Sequence, residues 1–225
     1  MAFRLRWSTP LPFSPSSSPR TGHSVLCYDY FGAAVLESES GACSWRRQLE
    51  PPEAIDWFLP HPQGSVLSQR REDMSRLLWL DHAGQECFTK FLEGWGSEAL
   101  VIGEELWLLR GTTLARLGAD GETLQTWKVP DGAVDLREAG GVCFRVPDQG
   151  LYRLEATGVA RTWKGAWDGF LSQRGWTFAW NAEVLSARDP RGRKAWERPA
   201  PGQMPALGAC LFGNFLEEEI GRAHV

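Results

Sequence analysis

Lysine, isoleucine and asparagine are almost missing from this chain: four, three and two in 225 residues. Arginine fills the cationic positions, 20 against those four lysines. A GC-rich coding sequence is the simplest source of the bias, since the three scarce residues need AT-rich codons. No apolar run approaches the roughly 18 residues of a membrane-spanning helix. The N-terminus also lacks the apolar stretch of a secretory signal. There is no excess of positive charge; the net charge is −4, which removes any general attraction to nucleic acid or anionic lipid. The five cysteines (Cys27, Cys43, Cys87, Cys143, Cys210) form no CxxC pair and are odd in number. They read as small buried groups in a reducing compartment, not as a disulfide framework or a metal site. With 43% hydrophobic and 23% charged residues, the chain is globular, not disordered or fibrous.

Chemical motifs are missing too. There is no P-loop, no G-x-G-x-x-G after a strand, no H-E-x-x-H, no G-x-S-x-G and no EF-hand loop. Outside the C-terminal tail only His23, His61 and His82 remain. They read as solvated loop residues, and no spacing supplies the converging ligands of a zinc site. Asp120 and Asp189 sit before turn glycines, where an Asp bonds its own backbone two residues on, so neither implies a calcium ion. No metal and no cofactor is expected.

What is present is tryptophan, 12 of them, and a repeat. Five times a glycine turn leads into an aromatic: Gly41 to Trp45, Gly84 to Phe88, Gly121 to Trp127, Gly158 to Trp163 and Gly192 to Trp196. The aromatics are 43, 39, 36 and 33 residues apart, the period of propeller blades or of helical solenoids. Local pattern decides between these. Residues 99–102, 106–109, 113–117 and 123–129 are four short apolar runs separated by turns, one of them Asp120-Gly121, a strong hairpin signal. No window sustains helical spacing without an interrupting Gly or Pro. The expected repeats are 22–49 (partial), 54–91, 98–129, 133–163 and 169–196, each aromatic lying at an equivalent place on its last strand. A sixth repeat would begin at Ala206.

The chain therefore resembles a β-propeller, an all-β fold of four-stranded antiparallel blades. Gly103-Glu104-Glu105-Leu106-Trp107 and Leu114-Ala115-Arg116-Leu117 carry the resemblance, echoed in Gly150-Leu151-Tyr152-Arg153-Leu154. It is loosely that of PQQ-like or sensor-type blades. WD40 repeats are disfavoured, because Trp127-Lys128 and Trp163-Lys164 stand where Trp-Asp would. The resemblance specifies architecture and is almost silent on function.

Three parts are expected: an N-terminal strand and Ser/Pro-rich leader (1–21), the blades (22–218) and a foreign tail (219–225). The tail, Glu219-Ile220-Gly221-Arg222-Ala223-His224-Val225, resembles the translated start of a common sequencing adapter. On that reading the native protein continues past Glu218 and the last blade is cut, leaving about five visible. The leader, Arg- and Ser-rich and acid-poor, keeps an organelle transit peptide open beside the expected cytoplasmic location.

The expected function is a binding or interaction module, a monomer that recognises a protein or small ligand through loops on one face. Neither nucleic acid nor membrane is expected as a partner. Its candidate residues are Trp95, Trp167, Arg71, Arg110, Asp148 and Asn181, all on loops that leave the blades at the same end. Trp95 and Trp167, flanked by glycines, could be stacking platforms or packing between blades. The alternative is a propeller enzyme acting on a small molecule or carbohydrate. It would need His, Asp or Glu clustered on those loops, so the expectation leans away from an enzyme.

Overall fold

Consecutive residues of a strand point to opposite faces of its sheet, and in this chain both sets are apolar, so the sheets must be covered on both sides. The computed structural model describes residues 9–12, 15, 20–21, 23–94 and 97–200. The expectations for an N-terminal strand, for Trp95, for Cys210, for the sixth repeat and for the 219–225 tail fall outside the described residues.

Among the described residues, twenty strands form five antiparallel sheets, each of four strands in sequence order. The first holds β1 (Arg20–Thr21), β2 (Ser24–Tyr28), β3 (Gly32–Glu37) and β4 (Cys43–Gln48). The second holds β5 (Ala54–His61), β6 (Gly64–Arg71), β7 (Met74–Leu80) and β8 (Glu86–Glu93). The third holds β9 (Glu98–Ile102), β10 (Glu105–Arg110), β11 (Thr113–Leu117) and β12 (Thr123–Lys128). The fourth holds β13 (Val134–Glu138), β14 (Val142–Val146), β15 (Gly150–Glu155) and β16 (Gly158–Lys164). The fifth holds β17 (Gly169–Gln173), β18 (Trp176–Trp180), β19 (Val184–Arg188) and β20 (Lys194–Pro199). These are the repeats read from the sequence, within a few residues at each end. The chain divides into two compact units, 1–136 and 137–225, with the cut inside β13.

In the first unit, the second sheet shows the alternation. Phe58, Leu67, Leu78 and Leu80 pack with Leu26, Ala33 and Val35 of the first sheet. Their neighbours Trp57, Val66, Leu77 and Trp79 pack on the other side with Leu106, Leu108 and Leu117 of the third. In the second unit, Cys143, Leu151 and Trp163 of the fourth sheet bury Phe170 and Ala179 of the fifth. Phe178, Leu185 and Ala187 form a cluster on the opposite face.

The repeated turn has a common construction. Asp81 Oδ1 accepts the N–H of Ala83 and of Gln85, both at 2.8 Å. Asp189 Oδ1 accepts those of Arg191 and Arg193, at 3.0 and 2.9 Å. Both Asp residues therefore serve turn geometry. The glycine that follows has a second role. A Cβ on Gly84 would lie 2.7 Å from Trp45 Cγ, and one on Gly121 would lie 2.1 Å from Phe88 Cε1. Trp45 and Phe88 thus dock on the turn glycine of the next sheet, whereas Gly158 and Gly192 have nothing within 4 Å of an added Cβ.

The expectation that all five aromatics are equivalent needs correction. Trp45, Phe88 and Trp196 pair with Val35, Trp79 and Ala187, each immediately before a register shift. In the third sheet that place belongs to Gln125, opposite Arg116. Trp127 stands two residues further along, stacked on Trp107 at 5.5 Å. Trp163, paired with Leu151, also stands immediately before a register shift, but that shift lies near the far end of its strand, because the fourth sheet replaces the Asp-type turn with a tight Glu155–Gly158 hairpin.

An ion pair ties the first two sheets together. Glu86 accepts Arg47 Nη2 on Oε1 and Arg76 Nη2 on Oε2, each at 2.7 Å. Arg47, then Arg76, holds its carboxyl below the usual value of 4.5. A depressed carboxylate adds stability above its unfolded pKa and loses it as pH falls through the folded one. All three side chains are partly exposed, so the pair is worth under about 1 kcal/mol. Glu86→Gln should therefore lose this contribution, under about 1 kcal/mol, at pH 7 and cost progressively less below about pH 4.5, flattening the acid limb, as read by urea unfolding at several pH values. An unchanged acid limb would contradict this.

Among the described cysteines, Cys27 and Cys143 are buried, while Cys43 and Cys87 are exposed. Burial pushes the Cys143 thiol up to about 11, and the thiolate is the reactive form. In a Cys210→Ser background, Ellman's reagent at pH 8 should label two thiols of the folded protein and four after denaturation. Four rapid equivalents before denaturation would refute the packing around Cys143.

Candidate functional site

In an antiparallel sheet of four strands, the turn between strands two and three leaves at the same end as the connection to the next sheet. At this end of the first unit, the backbone draws three elements together. Gly94, beyond β8, donates its N–H to Asp73 O at 2.5 Å and accepts Ser75 Oγ–H at 3.0 Å. A Cβ on Gly94 would lie 3.1 Å from Arg110 Nη2. The hairpins carrying Arg71 and Arg110 therefore meet at Gly94, where the chain leaves β8.

The first sheet reaches the same place through Tyr30 and Phe31. Their carbonyls accept the N–H of Ile55 and Leu49, both at 2.8 Å. Asp29 Oδ1 caps the turn by accepting the N–H of Phe31 and Gly32, at 2.8 and 2.7 Å. With its backbone so held, the turn presents Tyr30 60% exposed and Phe31 43% exposed. Arg70 lies over the Tyr30 ring, its guanidinium 5.6 Å from the centroid, and faces Asp56 at 3.8 Å. Burial outweighs that arginine and raises the Asp56 carboxyl above its usual value.

The second sheet carries a groove of about 350 Å³ at this end, lined by Glu53, Gln69, Arg71, Met74, Arg76 and Phe91 together with Glu72 and Asp73. Phe91 is 62% exposed and Met74 40%. Gln69 donates from Nε2 to Glu53 Oε2, and Arg71 reaches Glu53 at 3.8 Å. The result is an apolar floor edged by charges of both signs.

In the second unit the same end is differently built. Asn181 donates from Nδ2 to Ala166 O at 2.9 Å, and its Oδ1 accepts the N–H of Glu183 and Val184. Its side chain is spent on the turn. Asp148 is exposed in a hairpin at φ 62°, and the adjacent Gln149 carbonyl accepts Gly165 N–H at 3.3 Å. Trp167 is buried, edge-on to Trp163 at 5.0 Å, which makes it packing between sheets and not an open platform. Among the described residues, no three of His, Cys, Asp and Glu are grouped so as to hold a metal.

Sequence reading missed Tyr30, Phe31, Met74 and Phe91. A signal existed for the first two: an aromatic pair directly after a capping Asp and before a Gly, where turns usually carry polar residues. Met74 and Phe91 lie within strands and look like core.

Solved structures share the architecture. No family model matches the chain, and no curated protein sequence does either. The chain superposes on BamB from Moraxella catarrhalis with a TM-score of 0.55 at 15% identity, covering 83% of this chain and 67% of that one. On BBS1N, solved in complex with ARL6DN, the TM-score is 0.59 at 12% identity, covering 85% and 68%. On the WD40 domain of Neurospora crassa Pan2 it is 0.60 at 10% identity, covering 84% and 66%. The fold is that of a β-propeller. Its five sheets are blades, and at such identities the likeness speaks for the fold alone.

Proposed function

We propose that this propeller is a protein-interaction module whose docking surface is the hairpin end of its first two blades, formed by Tyr30, Phe31, Met74 and Phe91 with Arg71 beside them. One observation carries the reading: aromatic and methionine side chains stand exposed at this end of the two blades, on a turn held by backbone hydrogen bonds and on the neighbouring strands. Interface cores are enriched in aromatics, Met and Arg, with charged groups at the rim. Glu53, Glu72 and Asp73 supply that rim. BBS1N, a propeller of similar fold, is described in complex with another protein, which is compatible with this use of the architecture. The Asp-type turn leading to a docked aromatic further supports kinship with PQQ-like or sensor-type blades.

The test is affinity capture with the wild-type chain and with a Tyr30→Ala/Phe91→Ala variant. Both residues are mostly exposed, so the variant should keep its melting temperature within a few degrees. Proteins recovered by the wild type should be lost with the variant, and the leading one should rebind in purified form at least tenfold more weakly to the variant. Recovery of the same set by both chains would refute the surface.

A further inference from the structure

The opposite end of the same two blades holds a second concavity, of about 600 Å³. It forms where the β1–β2 and β3–β4 turns of the first blade face the β5–β6 and β7–β8 turns of the second. The three histidines of the described chain all line it, but they do not form a ligand set. His61 is buried with both ring nitrogens occupied: Nε2 lies 3.1 Å from Glu104 O, and Nδ1 accepts Gln63 N–H at 3.3 Å. His23 and His82 are exposed at the edges.

Charge and one orphaned atom define what the cleft could take. Glu37, Glu39 and Asp81 line it, and no lysine or arginine does among the described residues. That field disfavours phosphates, nucleotides and acidic peptides. On its floor, Ser65 is 2% exposed and its hydroxyl has no hydrogen-bond partner. Buried hydroxyls are normally paired, so this one is an acceptor held ready at the base of an acid-lined cleft. Trp45 adds an aromatic wall, its ring fixed edge-on to Phe58 at 5.4 Å and seated on Gly84.

We propose that this cleft binds an arginine-bearing peptide segment, the guanidinium lying against Trp45 and donating to the Glu39 and Asp81 carboxylates and to the Ser65 hydroxyl. Guanidinium is a planar group with five donors and no acceptor, it stacks on aromatic rings, and it pairs with carboxylates in a matching fork. The cleft exceeds one side chain in volume, which leaves room for flanking backbone. This site is separate from the docking surface and does not rest on it.

The test is a titration of the full chain followed by NMR, with acetyl-Gly-Arg-Gly-amide as the probe. Its glutamate counterpart and spermidine are the comparators. The arginine peptide should shift the Trp45 indole and His82 ring resonances saturably, and the glutamate peptide should not. Glu39→Gln and Asp81→Asn should each weaken binding about three- to tenfold; Asn keeps the Oδ1 that caps the turn. Ser65→Ala should weaken binding without lowering the melting temperature, because it deletes an unpaired hydroxyl. Equal binding of the glutamate peptide, no saturable shift at Trp45, or unchanged affinity in all three variants would overturn the site. Spermidine binding as tightly as the arginine peptide would overturn the choice of ligand.

Discussion

Gly64→Ala should cost this protein more than about 3 kcal/mol, because both the space and the backbone angle at that position exclude a side chain. Gly64 opens β6 at φ +141°, and a Cβ there would lie 2.1 Å from Leu80 O, 2.6 Å from Asp81 C and 2.8 Å from Asp81 Cα. All three are main-chain atoms, so no rotamer change relieves the clash. β6 would have to part from the end of β7, where Ser65 is registered with Leu80. Gly103→Ala is the matched control: its φ is +61°, with nothing within 4 Å of the added atom. That substitution should cost only the left-handed penalty, about 1 kcal/mol. Urea unfolding of the two variants gives the comparison. Equal losses would mean that the two turns of the second blade do not approach as described.

Phe58→Ala should cost about 3–5 kcal/mol, the range for deleting a fully buried aromatic. The ring is 0% exposed. It lies edge-on to Tyr28 at 6.2 Å and to Trp45 at 5.4 Å, both in the first blade. Removing it opens the seam between two blades instead of a pocket within one. Trp45 would lose the ring that holds it against Gly84, so the turn that docks there should loosen as well. Phe91→Ala, of identical chemistry at an exposed site, should cost under about 1 kcal/mol. Similar midpoints for both variants would contradict the interior assigned to these blades.

The five blades were legible in the sequence because each signal is local. Asp and Gly at a turn determine where a hairpin closes, and alternating apolar pairs such as Leu77–Leu78 mark a strand covered on both faces. The place of the last-strand aromatics was only half legible. Trp127 stands two residues beyond the register shift of its sheet, and Trp163 stands beside a shift moved to the far end of its strand, since a tighter hairpin relocates pairing without changing the residue types. The turns carrying Arg71, Arg110, Asp148 and Asn181 each join the second and third strands of their sheets, as the repeat implied, but the state of each side chain was not legible. Asn181 is spent on a turn, Trp167 is buried, and among the described candidates Arg71 alone lines the exposed groove.

Sequence by itself thus determined the strands, the turns and the need to bury both faces of every sheet, all of which depend on residues within about ten positions of one another. Tertiary structure decided which turns face one another. His23, His61 and His82 read as solvated loop residues, and no sequence signal singled out Glu37, Ser65 or Asp81. They line one cleft only because neighbouring blades stack with their turns in register. The same stacking leaves Tyr30 and Phe91 exposed while it buries Phe58 completely. Side chains of one type are separated in this way by which blade covers them, and no local pattern of residues carries that information.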